Sequence, residues 1–120
     1  MDCIFCELSN SSDVIFDNEL AFAMLDNHPV CKGHCLIIPK RHVVTYFDLS
    51  NEEISAMLDL SKQVKQFLDK KYHPDGYNVG FNCLEAGGQS VMHAHMHIIP
   101  RYLGDVPHPR GGIRKVISHK

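Results

Sequence analysis

Three histidines at every second position, His93-Ala94-His95-Met96-His97, running into Ile98-Ile99-Pro100-Arg101, constrain this chain more than any other stretch. A β-strand repeats every two residues, so a strand here turns all three imidazoles to one face and Ala94, Met96 and Ile98 to the other. A helix would set His93 and His97 on neighbouring turns and swing His95 away from them. The strand is preferred, because Val91, Ile98 and Ile99 favour it, Gly87-Gly88 precedes it and Pro100 ends it. The spacing predicts a strand that runs from His93 and ends at Pro100, with one chemical face and one core face.

The rest of the chain must supply a sheet for that strand. Val14-Ile15-Phe16 and Leu20 to Leu25 read as two short strands around a turn at Asp17-Asn18, and Cys35-Leu36-Ile37-Ile38 as a third that stops at Pro39. Ser50 is a good N-cap with Glu53 completing a capping box, and Ile54, Met57, Leu58, Leu60, Ser61, Val64, Phe67 and Leu68 follow largely at helical spacing. This long helix is expected to end near Tyr72, before a turn at His73-Pro74-Asp75-Gly76, with Tyr77 to Phe81 as a fourth strand. Strands joined by hairpin-like turns and interrupted by one long helix predict an α+β fold, with a mainly antiparallel sheet covered on one face by the helix. The histidines are then free to face an open cleft.

With 120 residues, 44% of them hydrophobic, the chain suits a single domain over 1–120 with one core. The formal net charge is −2 and the pI near 6.5. That balance argues against a nucleic-acid partner and favours a small anionic ligand over a long polyanion. No signal peptide is expected from the Asp2-containing start, and no run of about 18 apolar residues suggests a membrane span. A soluble, cytoplasmic protein without a membrane partner is the expectation. Five cysteines, an odd number in a reducing compartment, argue against a disulfide framework, and Cys31, Cys35 and Cys83 read as ordinary buried or half-buried thiols.

Cys3-x-x-Cys6, in the N-terminal segment 1–8, is half of a tetrahedral zinc site that two histidines from elsewhere could complete. It also suits two half-buried thiols, or a redox pair, although the thioredoxin-like context of a redox pair is missing. The C-terminal tail 104–120, with Pro107, Pro109 and Gly111-Gly112, cannot form a long regular element. It is expected to run extended over the surface or a partner, with Arg110 and Arg114 solvated.

The stretch Gly88-Gln89-Ser90-Val91-Met92-His93-Ala94-His95-Met96-His97-Ile98-Ile99 resembles the signature of the histidine triad (HIT) nucleotide hydrolases and transferases. The likeness extends through Cys3-Ile4-Phe5-Cys6, Ala21 to Asp26, Gly33-His34, Leu36-Ile37-Ile38-Pro39-Lys40 and Asn82, and is greatest for bacterial members of the Hint branch. The resemblance implies a five-stranded antiparallel sheet with one long helix, and a homodimer that joins two sheets into one.

It also implies chemistry at the α-phosphorus of nucleoside phosphoramidates, acyl-nucleotides or dinucleoside polyphosphates. His95 would be the nucleophile that forms a nucleotidyl-histidine, from which water releases the nucleoside monophosphate. Imidazole suits this task because its ordinary pKa of about 6.5 leaves one ring nitrogen unprotonated near neutral pH. His97 would donate to a phosphate oxygen and His34 would support it. By the same likeness Ser90 serves the leaving group, Gln89 the phosphate, Asp26 the ribose hydroxyls and Asn82 the substrate, while Gly87 and Gly88 allow close backbone approach. The implied zinc ligands are Cys3, Cys6, His42 and His93, a filled set and so a structural one, with no organic cofactor and no metal in catalysis. Asn27-His28 departs from the pattern, where relatives usually follow the aspartate with an apolar residue, so no base is assigned. Two other readings stand beside this one: a nucleotide-binding regulatory module without turnover, and a metalloenzyme using the three histidines as ligands.

Overall fold

The computed structural model describes residues 3–117. The chain alternates short strands and turns around one long helix: β1 (Val14–Asp17), β2 (Ala21–Leu25), β3 (Cys35–Pro39), α1 (Asn51–Tyr72), β4 (Gly76–Phe81) and β5 (Met96–Arg101). The strands form one antiparallel sheet in the order β1-β2-β3-β5-β4, so the first three run as a meander and β5 inserts between β3 and the edge strand β4. The α+β sheet-and-helix architecture is the one expected from the sequence.

Local chemistry explains the boundaries. At the β1–β2 turn, Asn18 Oδ1 accepts from the backbone N–H groups of Leu20 at 3.1 Å and Ala21 at 3.0 Å, and its amide nitrogen donates to Ala56 O at 3.0 Å, tying the turn to α1. Ser50 Oγ accepts from Glu53 N while Glu53 Oε1 accepts from Ser50 N, the reciprocal box that opens α1. His73 closes the helix in the left-handed conformation, with its N–H on Asp69 O. Met57, Leu60, Val64 and Leu68 recur on one face of α1 and pack on Ala21, Ala23, Ile37 and Ile98, all buried. Burying each large aliphatic chain there contributes about 1.5–3 kcal/mol. Among the described residues, no helix is long and apolar enough to cross a membrane.

Two features differ from expectation. The sheet face away from α1 is not an open cleft throughout: Phe22, Met24, Leu36 and Ile38 form a second apolar cluster there, capped by Phe5 and Leu8 of a 3-10 turn over Phe5–Asn10. The last strand begins at Met96, not at His93. Its pairing with both neighbours ends at Met96, opposite Ile37 on one side and Phe81 on the other. Beyond Ile37 strand β3 runs into Pro39, which has no N–H to give a ladder, and beyond Phe81 the chain leaves the sheet. His93 and His95 therefore sit in an irregular segment, and the three imidazoles do not share one strand face.

Candidate functional site

His97 pairs in register with Leu36 and Gly80, and Leu36 belongs to the apolar cluster beyond the helix, so the His97 ring stands on the face opposite α1. The ring of His95 lies 5.0 Å away, centroid to centroid. His34, just before β3, reaches the same place: its Nε2 is 2.9 Å from His97 Nδ1 and 3.5 Å from Asp26 Oδ2. Asp26, just after β2, is joined to His34 through the backbone as well, with Asp26 N donating to His34 O at 2.9 Å. Its other oxygen accepts from His28 N at 2.9 Å.

Fixed backbone partners decide which ring nitrogens carry protons, because an amide N–H only donates and a carbonyl only accepts. Val30 N donates to His34 Nδ1 at 3.2 Å, so neutral His34 carries its proton on Nε2 and gives it to His97 Nδ1. His97 is left with its own proton on Nε2. His95 Nδ1 donates to the His93 carbonyl at 2.8 Å, which leaves the lone pair on His95 Nε2. Burial, then His95 and His34, push His97 down to about 4, and burial also lowers His34 against the pull of Asp26. Both shifts favour the neutral rings, and the hydrogen bonds then set a donor at His97 Nε2.

These groups meet in a cavity of about 350 Å³, with Phe5, Leu8 and Met24 on an apolar wall and Asp26, Ser90 and His95 among its polar groups. Asn27 and His28 line it too. Asn82 lines a second cavity of about 320 Å³, which shares His34 and His97 with the first and is otherwise walled by residues such as Phe81, Ile113 and Val116. Gly88 lies nearby in the left-handed region at φ +92°, a conformation that favours glycine. The Gln89 amide is engaged at both ends: its oxygen accepts from Leu84 N at 2.7 Å, and its nitrogen donates to Val44 O at 2.6 Å and Val91 O at 2.9 Å. Its side chain thus shapes the loop that presents Ser90.

A second cluster adjoins the first. Cys3, Cys6, His42 and His93 place one ligand atom each within 4.8 Å of one another. Cys3 Sγ is 3.3 Å from His93 Nδ1, Cys6 Sγ 3.3 Å from His42 Nδ1, and the two histidine nitrogens are 3.2 Å apart. Ligands around tetrahedral zinc stand roughly 3.3–3.8 Å apart given its Zn–S and Zn–N bond lengths, so this set fits. The donor chemistry agrees: His93 Nε2 donates to Pro39 O at 2.8 Å, which leaves the Nδ1 lone pair aimed at the cysteines. Burial, and then the neighbouring Cys3, raise the Cys6 thiol, so without a cation it stays protonated.

Sequence reasoning missed the backbone groups of Val30, Pro39 and His93 that fix the tautomers; a carbonyl or an N–H has no signature in the residue type. It also missed Phe5, whose ring meets His95 edge-on at 4.9 Å and His93 at 6.0 Å. The position of Phe5 between two cysteines was visible, but its partners were not.

A family model described as HIT domain matches residues 7–104. An uncharacterised 16.1 kDa HIT-like protein of Mycoplasma pneumoniae is 39% identical over 104 residues, covering 84% of this chain and 72% of that one. An adenosine 5′-monophosphoramidase of Schizosaccharomyces pombe is 38% identical over 105 residues, covering 84% and 75%. Among solved structures, a Zn-bound histidine triad family protein from Mycobacterium smegmatis superposes with a TM-score of 0.78 at 32% identity, covering 88% of this chain and 78% of the other.

Proposed function

This chain belongs to the HIT domain family, and from that premise we propose that it hydrolyses nucleoside phosphoramidates through a nucleotidyl intermediate on His95. The observation that carries the reading is the 2.8 Å bond from His95 Nδ1 to the His93 carbonyl, which leaves a nucleophilic lone pair on Nε2 in the cavity shared with Asp26 and Ser90.

In this mechanism His95 Nε2 forms a bond to the α-phosphorus as the bond to the leaving nitrogen breaks. His97 Nε2–H donates to a non-bridging oxygen, where negative charge grows in the transition state. The Ser90 hydroxyl hands a proton to the departing amine and recovers one from the water that attacks in the second step. Asp26 receives the ribose hydroxyls and the Phe5–Met24 wall receives the base. Gln89 and Gly88 hold the loop under the phosphate, and Asn82 contacts the leaving-group side. Water on the opposite side then cleaves the phosphorus–nitrogen bond to His95 and releases the nucleoside monophosphate. Zinc on Cys3, Cys6, His42 and His93 would have all four positions filled, and so serves structure. A homodimer formed along β4, one of the two sheet edges and the one with Val79 exposed, suits the same reading.

The test is release of AMP from adenosine 5′-phosphoramidate by the wild type and by His95→Ala. The expected loss is at least about a thousandfold, with the circular dichroism of the variant unchanged. A folded variant that still turns over would overturn the role of His95. A wild type inert on this substrate and on diadenosine polyphosphates, yet able to bind AMP, would instead be a binding module. Metal retained by His95→Ala and lost by Cys3→Ala separates a structural ion from a catalytic one.

A further inference from the structure

His93 belongs to both clusters at once. Its ring is held at two points, Nε2–H on the Pro39 carbonyl at 2.8 Å and Nδ1 beside Cys3 Sγ at 3.3 Å and His42 Nδ1 at 3.2 Å. Its own backbone carbonyl takes the Nδ1 proton of His95. A second link runs parallel. Phe5, between the two cysteines in sequence and buried, sets its ring against His95 at 4.9 Å and against His93 at 6.0 Å.

We propose that the Cys3–Cys6–His42–His93 cluster, when it holds zinc, is a positioning device for the nucleophile, so that loss of metal slows the chemical step and does not merely weaken the fold. This rests on the readings that His95 is the nucleophile and that the cluster binds zinc. The 3-10 turn over Phe5–Asn10 is six residues long, and the internal hydrogen bonds of a 3-10 turn, poorer in geometry than those of an α-helix, do nothing to tie it to the rest of the chain. Apart from the packing of Phe5 and Leu8, the four ligands fasten this segment to the loop that carries His93. Zinc binding fixes the His93 ring and, through it, the orientation of the residue whose carbonyl selects the His95 tautomer. It also clamps Phe5 on the His95 ring. Release of the metal loosens both contacts, while Asp26, His34 and His97, which lie outside the cluster, keep their bonds.

The experiment compares wild type, Cys3→Ser, His42→Gln and His42→Cys for zinc content, for kcat and KM of AMP release, for AMP affinity, and for the ¹⁵N–¹H signal of the His95 Nδ1 proton in histidine-labelled protein. Cys3→Ser and His42→Gln are expected to lose zinc and remain folded, with kcat down about tenfold or more. AMP affinity is expected to change much less, and the His95 Nδ1 signal to broaden or disappear. His42→Cys keeps four ligands and is expected to regain zinc, the signal and most of kcat. If Cys3→Ser fails to fold, His42→Gln at its exposed position carries the comparison, and chelator-stripped wild type carries it if both fail. Zinc-free, folded protein with an unchanged kcat and an intact His95 signal overturns the proposal. Wild type that never binds zinc overturns it through stoichiometry, along with the zinc reading, and leaves the role of His95 to its own test.

Discussion

His34 Nε2 lies 2.9 Å from His97 Nδ1, and the backbone N–H of Val30 closes the far side of the His34 ring at 3.2 Å. The three groups form a directed chain, each donating to the next, that ends on His97 Nε2–H. Removing the middle member in His34→Ala leaves His97 free to turn over or to place its proton on Nδ1. The expected result is a fall in kcat of roughly ten- to a hundredfold, the scale of a misoriented catalytic group. KM should change far less, because His34 offers its nitrogens to His97, Val30 and Asp26 rather than to the nucleoside. Equal losses in kcat and in AMP affinity would contradict this relay.

Protonation of the same rings sets a pH dependence of stability. His97 titrates near 4 in the folded chain against an ordinary value of 6.5, chiefly because it is buried, and His34 is lowered for the same reason. In the unfolded chain these rings take up protons as pH falls through about 6.5. Between these limits the unfolded state binds more protons, so stability falls with pH over that window and the loss levels off below about 4. Urea unfolding between about pH 7 and about pH 4.5 should show this slope, and His97→Gln should flatten it. An equally steep slope in the variant would assign the effect elsewhere.

The α1 start gives a separate acid response. Glu53 is buried and accepts from Arg41 Nη2 at 2.7 Å, Arg41 Nε at 3.0 Å and Ser50 N at 2.8 Å. The Arg41 bonds, opposed by burial, bring its carboxyl down to about 2 from 4.5. Because the folded value is the lower one, this contribution is present above about 4.5 and is lost as pH falls toward 2. Glu53→Ala is expected to cost about 1–2 kcal/mol at neutral pH, the scale of a lost helix cap, read as a lower midpoint in thermal unfolding. Glu53→Gln should remove the acid-dependent part of that difference.

Much of this was legible in the sequence because its signals are local. Ser50 and Glu53 announce the start of α1, the His73-Pro74-Asp75-Gly76 turn its end, and short β-branched and apolar runs mark four strands to within a residue or so. The 93–95 segment misled because alternation is a property of one strand, whereas pairing depends on two. The ladder that would have carried His93 and His95 ends at Ile37 on β3, two residues before Pro39, and at Phe81 on β4. Bringing His42 and His93 to Cys3 and Cys6 is likewise long-range, and spacing within the chain could not select those two from nine histidines. The tautomers depend on carbonyls and amides, which every residue has and none advertises.

Gly33 links the helix to the site and yields a prediction in two separable parts. It sits at φ +89°, immediately before His34, and a Cβ there would come within 3.0 Å of Tyr72 Cδ2 and 3.1 Å of Leu68 Cδ2 on α1. Gly33→Ala therefore meets two penalties: the left-handed backbone, about 1–2 kcal/mol for an L side chain, and crowding against the last turns of the helix. Relief of the crowding must come from Tyr72 giving way or from the chain shifting, and a shift carries His34 with it. The expected outcome is destabilisation by about 2–3 kcal/mol with a lowered kcat. In Gly33→Ala/Tyr72→Leu, measured against Tyr72→Leu alone, the crowding against Tyr72 should recover while the backbone part and the contact with Leu68 remain. Full recovery in the double variant would mean that the conformation at residue 33 carries no strain, and no recovery would mean that Tyr72 had already moved aside.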